Sequence, residues 1–247
     1  MTKFSYPKHQ RIDTAFVLAG GQGSRLRSLG VETPKPLLPV NDKPFLAWVF
    51  ELLRSKGIER VVLSVGYKPE KFVAAFGGGK DFGLNIDYVV EDFPLYSAGA
   101  LSRARHTLPS RFLFINGDTF LDFDKCSLVK IHNDNTGLAT LALIRSKHLE
   151  GKGVIELVDG NVKTFIEKPK CTSPNSKFSF GGYAIIERSL IMNLAAVPSS
   201  LEYDVFPELA QNNKLMGYEE TGIFIEIGTP ETYRSAYKKI NVWLKSC

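Results

Sequence analysis

The stretch Leu18-Ala-Gly-Gly-Gln-Gly-Ser-Arg-Leu-Arg27 directly follows an apolar run at 14–18, and this junction decides the fold. A short apolar run that ends in glycines is typical of a buried strand, and open α/β sheets bind ligands at the carboxyl ends of such strands. Backbone N–H groups can approach phosphate oxygens where no Cβ intervenes, as at Gly20, Gly21 and Gly23. Arg25 adds a guanidinium that can hold a phosphate through two N–H bonds. The stretch predicts a phosphate-binding loop, although a tight strand-to-helix turn has the same composition.

The residues that follow exclude two well-known phosphate loops. A Walker loop requires Gly-Lys-Ser or Gly-Lys-Thr after four intervening residues, and this sequence has neither at that place. A dinucleotide-binding loop requires a third glycine where this sequence has Leu26. It also requires an acidic residue at the end of the second strand, where this sequence has Val65 and Gly66. The sequence therefore excludes these two kinds of phosphate loop, and the tight strand-to-helix turn stays an alternative interpretation.

Apolar runs alternate with helical patterns through the first half of the chain. Strands are predicted at 14–18, 61–65, 86–90 and 111–115, and helices at 44–55 and 98–107. Strands that are apolar on both faces and separated by helices favour a parallel sheet covered on both sides. We therefore expect an α/β fold, Rossmann-like, with a mainly parallel central sheet and helices on both of its faces.

The second half of the chain is less regular. Strands are predicted at 138–144, 154–157, 162–166 and 179–186, with Asp159-Gly160-Asn161 as a hairpin turn, and a helix at 204–212. A last helix at 230–245 begins with a proline and carries Tyr233, Tyr237, Ile240 and Leu244 at helical spacing. Since no linker interrupts the pattern, we expect one domain over 1–247, with 1–13 as an N-terminal extension.

Composition narrows the functional class. Lys and Arg number 31 against 26 Asp and Glu, which gives a formal charge of +5 that is spread along the chain. Without a block of like charges, no nucleic-acid partner is indicated. No stretch reaches the roughly eighteen apolar residues that a membrane helix needs, so no membrane partner is expected. The polar first ten residues and three scattered cysteines favour a cytoplasmic protein.

A second motif places a lysine between prolines. In Thr33-Pro-Lys-Pro-Leu-Leu-Pro-Val40, both neighbours of Lys35 have a fixed φ, which predicts a stiff extended segment that presents the ammonium. A proline-rich surface turn is the alternative interpretation.

Together these motifs resemble the signature of the sugar-1-phosphate nucleotidyltransferases. The family pattern, Leu-Ala-Gly-Gly-x-Gly-Ser/Thr-Arg-Leu with Pro-Lys-Pro-Leu further on, occupies 18–40 here, and Lys35 follows Arg25 by ten residues. Later blocks match in the same order: Asn116-Gly-Asp118, Phe165-Ile-Glu-Lys-Pro169, Gly181-Gly-Tyr183 and Phe224-Ile-Glu-Ile-Gly-Thr-Pro230. Within the family, the guanylyltransferases that act on D-glycero-α-D-manno-heptose 1-phosphate are the most similar. The resemblance implies a GT-A-like nucleotidyltransferase domain.

The resemblance implies attack of a sugar 1-phosphate on the α-phosphorus of a nucleoside triphosphate, with release of pyrophosphate. Arg25, Lys35 and Asp118 are the implied catalytic residues. The nucleotide would be held by Leu18, Ala19, Gly20, Gly21, Gly23, Ser24 and Arg25, with the base against the loop's start at 18–20 and the triphosphate on 20–25. Lys35 would bridge the two phosphates, and Lys168 would bind the sugar phosphate.

The implied cofactor is Mg²⁺, which Mn²⁺ can replace. Asp118, directly after a predicted strand, and Glu226 are the expected ligands. The family usually has an aspartate at the second position, so the longer Glu226 is a departure.

The base and the sugar have candidate contacts of their own. Glu91, Ser97 and Gly99 would contact the base, and a carboxylate such as that of Glu91 accepts bonds from the guanine edge but also from a uracil or thymine imide. The heptose enzymes carry Pro-Leu-Gly-Thr-Gly-Gly-Ala where this chain has Pro94-Leu-Tyr-Ser-Ala-Gly-Ala100, which predicts a reshaped pocket. Glu167 and Gly182 would contact the sugar. Asp204 is either a helix cap or a sugar ligand.

The expected substrates are GTP and a heptose or mannose-like 1-phosphate. Two alternatives stay open: transfer of a uridylyl, thymidylyl or cytidylyl group to another phosphorylated metabolite, and a regulatory subunit that binds nucleotide sugar without turnover. The oligomeric state is also open, a homo-oligomer included.

Overall fold

A computed structural model describes residues 11–21, 33–146, 153–169 and 177–246 of the chain. In chain order, its strands are β1 (Thr14–Leu18), β2 (Pro39–Val40), β3 (Lys43–Pro44), β4 (Arg60–Val65), β5 (Asn85–Val90), β6 (Arg111–Asn116), β7 (Thr119–Leu121), β8 (Ala139–Arg145), β9 (Val154–Val158), β10 (Asn161–Ile166), β11 (Phe178–Glu187), β12 (Leu215–Glu220) and β13 (Phe224–Glu226). Its α-helices are α1 (Phe45–Ser55), α2 (Pro69–Phe76), α3 (Tyr96–Ala104), α4 (Lys125–Asn133), α5 (Arg188–Met192), α6 (Phe206–Gln211) and α7 (Pro230–Leu244).

The main sheet is mixed rather than mainly parallel. Its strands lie in the order β5-β4-β1-β6-β11-β8-β12-β10-β9. The first four run parallel, as predicted. Among the described residues of the second half, only β12 and β8 pair in parallel. Strand β11 is antiparallel to β6 and β8, and β10 is antiparallel to β12 and β9. The prediction of a mainly parallel sheet is therefore wrong for this half, because a strand buried on both faces has the same composition in either orientation.

Side chains alternate between the two faces of the sheet. Ala15 and Val17 of β1 belong to a buried cluster that includes residues of α1, α2 and α7. Phe16, between them, belongs to a second cluster with residues of α3 and α6. The period of two along an extended strand produces this division. Both faces of the sheet thus carry an apolar layer under helices, as an α/β fold requires.

The predicted hairpin turn is confirmed. Asp159 and Gly160 connect β9 to β10, and both have positive φ angles, 49° and 76°. Two successive positive φ angles define the two-residue turn that matches the twist of paired strands, and Asp-Gly is a favoured sequence for it.

Most other predicted elements are present with shifted ends. The predicted helix at 204–212 is a π-helical turn, Leu201–Val205, that continues into α6. In the last helix, Trp243 rather than Leu244 is buried on the apolar side. The pattern analysis missed three helices, α2, α4 and α5, and five strands, β2, β3, β7, β12 and β13. None of the helices in the described part of the chain is long and apolar enough to cross a membrane.

One buried carboxyl group lies between β12 and the start of α4. Glu220 is 7% exposed, and its Oε2 accepts from the Asp124 backbone N–H at 3.0 Å. Its Oε1 is buried without a hydrogen-bond partner among the described residues. Burial raises the pKa of Glu220 to about 7, and the nearby Asp124 and Asp122 carboxylates add to the rise, although the bond from Asp124 N–H and the charge of Lys56 oppose it. The folded chain therefore binds a proton here more tightly than the unfolded chain does.

We predict that Glu220→Gln removes a pH dependence of stability. The stabilisation from the protonated carboxyl is complete below the usual pKa of 4.5 and is lost as pH rises through about 7. Because one pKa unit corresponds to about 1.4 kcal/mol, the wild type should lose on the order of 2 kcal/mol relative to the glutamine variant between pH 5 and pH 8. Urea unfolding at both pH values measures the difference.

Glu219→Gln is the matched control, since Glu219 is only half-buried and its pKa is lowered by the hydrogen bond from Arg145. It stays ionised over this range, so its variant should keep the wild-type slope. A Glu220→Gln variant with the wild-type slope would contradict the assignment.

Candidate active site

Lys35 lies in a short turn of 3₁₀-helix rather than in an extended segment. The turn spans Lys35–Leu37, and Leu37 N–H donates to the carbonyl of Pro34 at 2.8 Å. Pro34 is extended, as predicted, but Pro36 fits inside the first turn of a helix because no backbone N–H donor is needed at that position. The prediction of an extended segment through Lys35 is therefore wrong, while the stiff presentation of its side chain remains.

The ammonium of Lys35 makes an ion pair with Asp118. The Nζ–Oδ2 distance is 2.8 Å, and the side chains are 13% and 31% exposed. Asp118 follows β6, and Gly117 N–H donates to the carbonyl of Leu18 at 2.9 Å. The end of β1, which starts the glycine loop, is thus attached to the end of β6. Lys35, Asp118 and the start of the loop meet at one edge of the sheet.

Glu226 lies beside Asp118 through backbone pairing. In the antiparallel pair of β13 and β7, Glu226 lies opposite Thr119. Ile227 N–H then donates to the carbonyl of Asp118 at 3.0 Å. The carboxylates of Asp118 and Glu226 are therefore carried by adjacent backbone segments. Mg²⁺ usually takes one or two carboxylate ligands from the protein, and phosphate oxygens and water complete its coordination. The residues fit a magnesium ion, although no group of three or more metal-binding side chains occurs among the described residues.

Glu91 lies at the start of the glycine loop. Its carboxylate is buried and accepts from Ser64 Oγ at 2.8 Å and from Leu95 N–H at 3.1 Å. A Cβ at Gly20 would lie 2.5 Å from Glu91 Oε1, so the loop backbone contacts the carboxylate directly. Each carboxylate oxygen has a second lone pair, which leaves Glu91 able to accept from a base edge.

Ser97 and Gly99, both in α3, contact residues of the segment 197–202. Ser97 Oγ donates to Glu202 Oε2 at 2.6 Å and accepts from Leu201 N–H at 2.8 Å. A Cβ at Gly99 would lie 2.3 Å from the carbonyl oxygen of Val197. In the structure both residues join α3 to this segment, and their contact with a nucleotide stays a prediction. Tyr96, at the position of a glycine in the heptose enzymes, has a φ of 56° and is 64% exposed.

The residues predicted to contact the sugar lie near the segments that carry Asp118 and Glu226. Gly182, in a bulge of β11 with φ of 78°, lies over Thr119, which would be 3.1 Å from an added Cβ. Glu167 Oε1 is 3.5 Å from Lys168 Nζ. Burial raises the pKa of Glu167, Lys168 opposes the rise, and the carboxylates of Glu202 and Glu226 add to it. Glu167, Glu202 and Glu226 therefore share one electrostatic environment.

Glu202 is the site residue that the sequence analysis missed. The only signal was its position two residues before Asp204, which was considered alone. Asp204 Oδ2 accepts from the Ser200 N–H at 2.7 Å, as a local cap does.

Of the remaining predicted residues, Gly23, Ser24 and Arg25 lie outside the described part of the chain, while Ala19, Gly20 and Gly21 follow β1 directly.

Known proteins are similar to this chain over almost its whole length. Residues 14–242 match the profile of the nucleotidyl transferase family. A D-glycero-α-D-manno-heptose 1-phosphate guanylyltransferase of Aneurinibacillus thermoaerophilus is 34% identical over 93% of this chain and 99% of its own length. A mannose-1-phosphate guanylyltransferase of Mycobacterium tuberculosis is 34% identical over 89% of this chain, which spans only 62% of that relative.

A solved structure is similar to this chain in its fold. The crystal structure of HddC from Yersinia pseudotuberculosis complexed with GMP-PN has a TM-score of 0.79 at 26% identity, over 93% of this chain and 100% of that one. The similarity therefore extends well beyond the glycine loop.

We predict that Gly20→Ala destabilises the chain in the absence of any ligand. The new methyl group would displace the Glu91 carboxylate from Ser64, and a hydrogen bond to a charged group contributes about 1.5–3 kcal/mol. We expect a loss of roughly 2 kcal/mol in the free energy of unfolding. Urea unfolding of the ligand-free protein measures it.

Gly21→Ala is the control, because no described atom lies within 4 Å of a Cβ at that position. It should keep wild-type stability. Equal stability of the two variants would show that Glu91 is not held against Gly20.

Proposed function

This chain belongs to the nucleotidyl transferase family and is an enzyme of that family, and we propose that it transfers a guanylyl group from GTP to a heptose or mannose-like 1-phosphate. The observation that carries the proposal is the convergence of Lys35, Asp118 and the start of the glycine loop at one sheet edge. The names of the guanylyltransferase relatives support the choice of group and substrate. The proposal treats residues 1–247 as one catalytic domain.

The proposed reaction is a displacement at the α-phosphorus of GTP. A phosphate oxygen of the sugar 1-phosphate forms the new bond to this phosphorus, the bond to the β-phosphate oxygen breaks, and pyrophosphate leaves with the electron pair. Both reactants are polyanions, so catalysis consists mainly of positioning and of neutralising charge. The chain must therefore supply cations at two phosphates.

Three cationic side chains would divide this task. The backbone of the glycine loop and Arg25 would hold the triphosphate. Lys35 would contact the α-phosphate and the sugar phosphate together, and Lys168 would hold the sugar phosphate from the other side. Lys35 is the best supported of these, because its side chain is mostly buried and held by a carboxylate. A fixed charge in such surroundings stabilises the transition state more than a mobile one in water does.

Asp118 and Glu226 would hold Mg²⁺, or Mn²⁺ in its place. When bound, such an ion neutralises phosphate charge and polarises the reacting phosphoryl group. The ion pair with Lys35 already gives Asp118 an ordered position. The contact of Ile227 N–H with the Asp118 carbonyl keeps the second carboxylate close.

Guanine is the proposed base because of Glu91. The guanine edge presents N1–H and an amino group side by side, and the two oxygens of one carboxylate accept from both. A uracil or thymine imide offers one N–H. Glu91 is held by Ser64 and the Leu95 N–H, so it stays in place for this readout.

Pyrophosphate release with each of five nucleoside triphosphates and a panel of sugar 1-phosphates tests the proposal. GTP with D-glycero-α-D-manno-heptose 1-phosphate or mannose 1-phosphate should give a kcat/KM at least about tenfold above every other pair. A clear preference for UTP, dTTP or CTP would contradict the guanylyl assignment. Binding of a nucleotide sugar without turnover of any pair would establish the regulatory alternative instead.

We predict that Glu226→Gln raises the Mg²⁺ concentration for half-maximal rate several-fold, because one anionic donor is lost. Glu226→Asp should be intermediate, since its carboxylate lies about 1.5 Å closer to the backbone. Glu208→Gln, a change at an exposed glutamate of α6, is the control and should leave the titration unchanged. An unchanged Mg²⁺ dependence in Glu226→Gln would exclude Glu226 as a metal ligand.

A further inference from the structure

We propose that α7 positions the catalytic segment of Lys35, and that Tyr233 and Tyr237 are the positioning residues. The inference rests on the proposed function for the role of Lys35, but its geometry is independent of that role. Both tyrosines lie on one face of α7, and both reach the same backbone carbonyl of the segment that carries Lys35.

The two hydroxyls converge on Pro39. Tyr233 Oη lies 2.6 Å and Tyr237 Oη 2.8 Å from the carbonyl oxygen of Pro39, and the two Oη atoms are 3.2 Å apart. A carbonyl oxygen has two lone pairs, so it can accept from both hydroxyls at once. Burial raises the pKa of Tyr233, and the Tyr237 hydroxyl adds to the rise, so the Tyr233 hydroxyl stays a protonated donor at neutral pH.

Pro39 is four residues after Lys35 and begins the small hairpin of β2 and β3. The same hairpin is tied to α7 a second time, since Asn41 Nδ2 donates to Asn241 Oδ1 at 3.0 Å. On its other side, Trp48 Nε1 of α1 donates to the carbonyl of Val40 at 2.9 Å. The segment between Lys35 and α1 is thus held between two helices.

The same helix also touches the segments of both carboxylates. The Trp243 ring packs edge-on against Phe120, two residues after Asp118, with 5.1 Å between centroids. Lys239 Nζ donates to the carbonyl of Phe224 at 3.0 Å, two residues before Glu226. Thr229, three residues after Glu226, caps the start of α7.

One helix therefore contacts the three segments that carry Lys35, Asp118 and Glu226. A displacement of about 1 Å at a catalytic group is enough to cost a hundredfold in rate. The tyrosine pair restrains the Lys35 segment without touching the side chain itself, which is what a positioning role requires.

The double variant Tyr233→Phe/Tyr237→Phe removes both donors and keeps both rings. We expect kcat to fall about tenfold, with little change in KM for GTP and a similar melting temperature. Each single variant keeps one donor on Pro39 and should lie between the double variant and the wild type. Tyr88→Phe is the control, because it removes a tyrosine hydroxyl that donates to the carbonyl of Gly77, away from this segment. It should keep the wild-type kcat.

A mutant cycle separates positioning from general stability. If the tyrosines act through Lys35, the double variant should lower kcat less than about twofold in a Lys35→Ala background. An equal fold-loss in both backgrounds would overturn the proposal.

A chemical readout keeps the test independent of the proposed function. Acetylation of lysines by acetic anhydride, followed by mass spectrometry of peptides, should label Lys35 at least about threefold faster in the double variant. Lys163, on the far hairpin, is the internal reference. Unchanged labelling of Lys35 would overturn the positioning role, whereas absence of transferase activity in the wild type would overturn only the proposed function.

Discussion

The ion pair between Lys35 and Asp118 is the interaction on which the rest of the site depends. It joins residues 83 positions apart at a distance of 2.8 Å, in a setting where water screens the charges only partly. The pair forms because β1 and β6 are neighbours, so their carboxyl ends meet and the segment after each strand contacts the other. The proposed reaction joins two polyanions and so needs cations close to carboxylates that would hold a divalent metal ion, and this edge of the sheet carries side chains of both charges.

Much of this arrangement follows from local sequence. The apolar runs at β1, β4 and β6 specify buried strands, whereas β5 lies at the edge of the sheet and only its Ile86 is buried. The helical patterns of α1 and α3 between the strands favour parallel pairing. The Asp159-Gly160 turn specifies its hairpin because its residues tolerate positive φ. The orientation of β11 could not be predicted, because it depends on how the chain returns to the sheet over a long distance. The composition of a strand that is buried on both faces is the same whether the strand runs parallel or antiparallel to its neighbours.

Some residues of the site can likewise be predicted from the sequence, and others are found only in the fold. The glycine loop, Asp118 and Glu91 can be found in the sequence because each follows a predicted strand, and Lys35 because it lies between two prolines; the resemblance to a family then suggests their roles. Glu202 is not, since its partners Ser97 and Glu167 come from distant parts of the chain. Tyr233 and Tyr237 fit the apolar stripe of a helix, and only the fold shows that their hydroxyls meet on Pro39. Contacts between remote backbone and side-chain atoms leave no periodic signal.

The most direct test of the central claim is the kcat/KM of Lys35→Ala with GTP and the preferred sugar 1-phosphate, beside Lys163→Ala. Lys163 is an exposed lysine of β10, on the hairpin of β9 and β10, and its Nζ donates to Asn213 Oδ1. Its loss therefore removes the same charge away from Lys35 and Asp118. The account predicts a fall of at least about a hundredfold, or roughly 2.7 kcal/mol of transition-state stabilisation, for Lys35→Ala and a change within about threefold for Lys163→Ala. A folded Lys35→Ala variant with wild-type kcat/KM would contradict it.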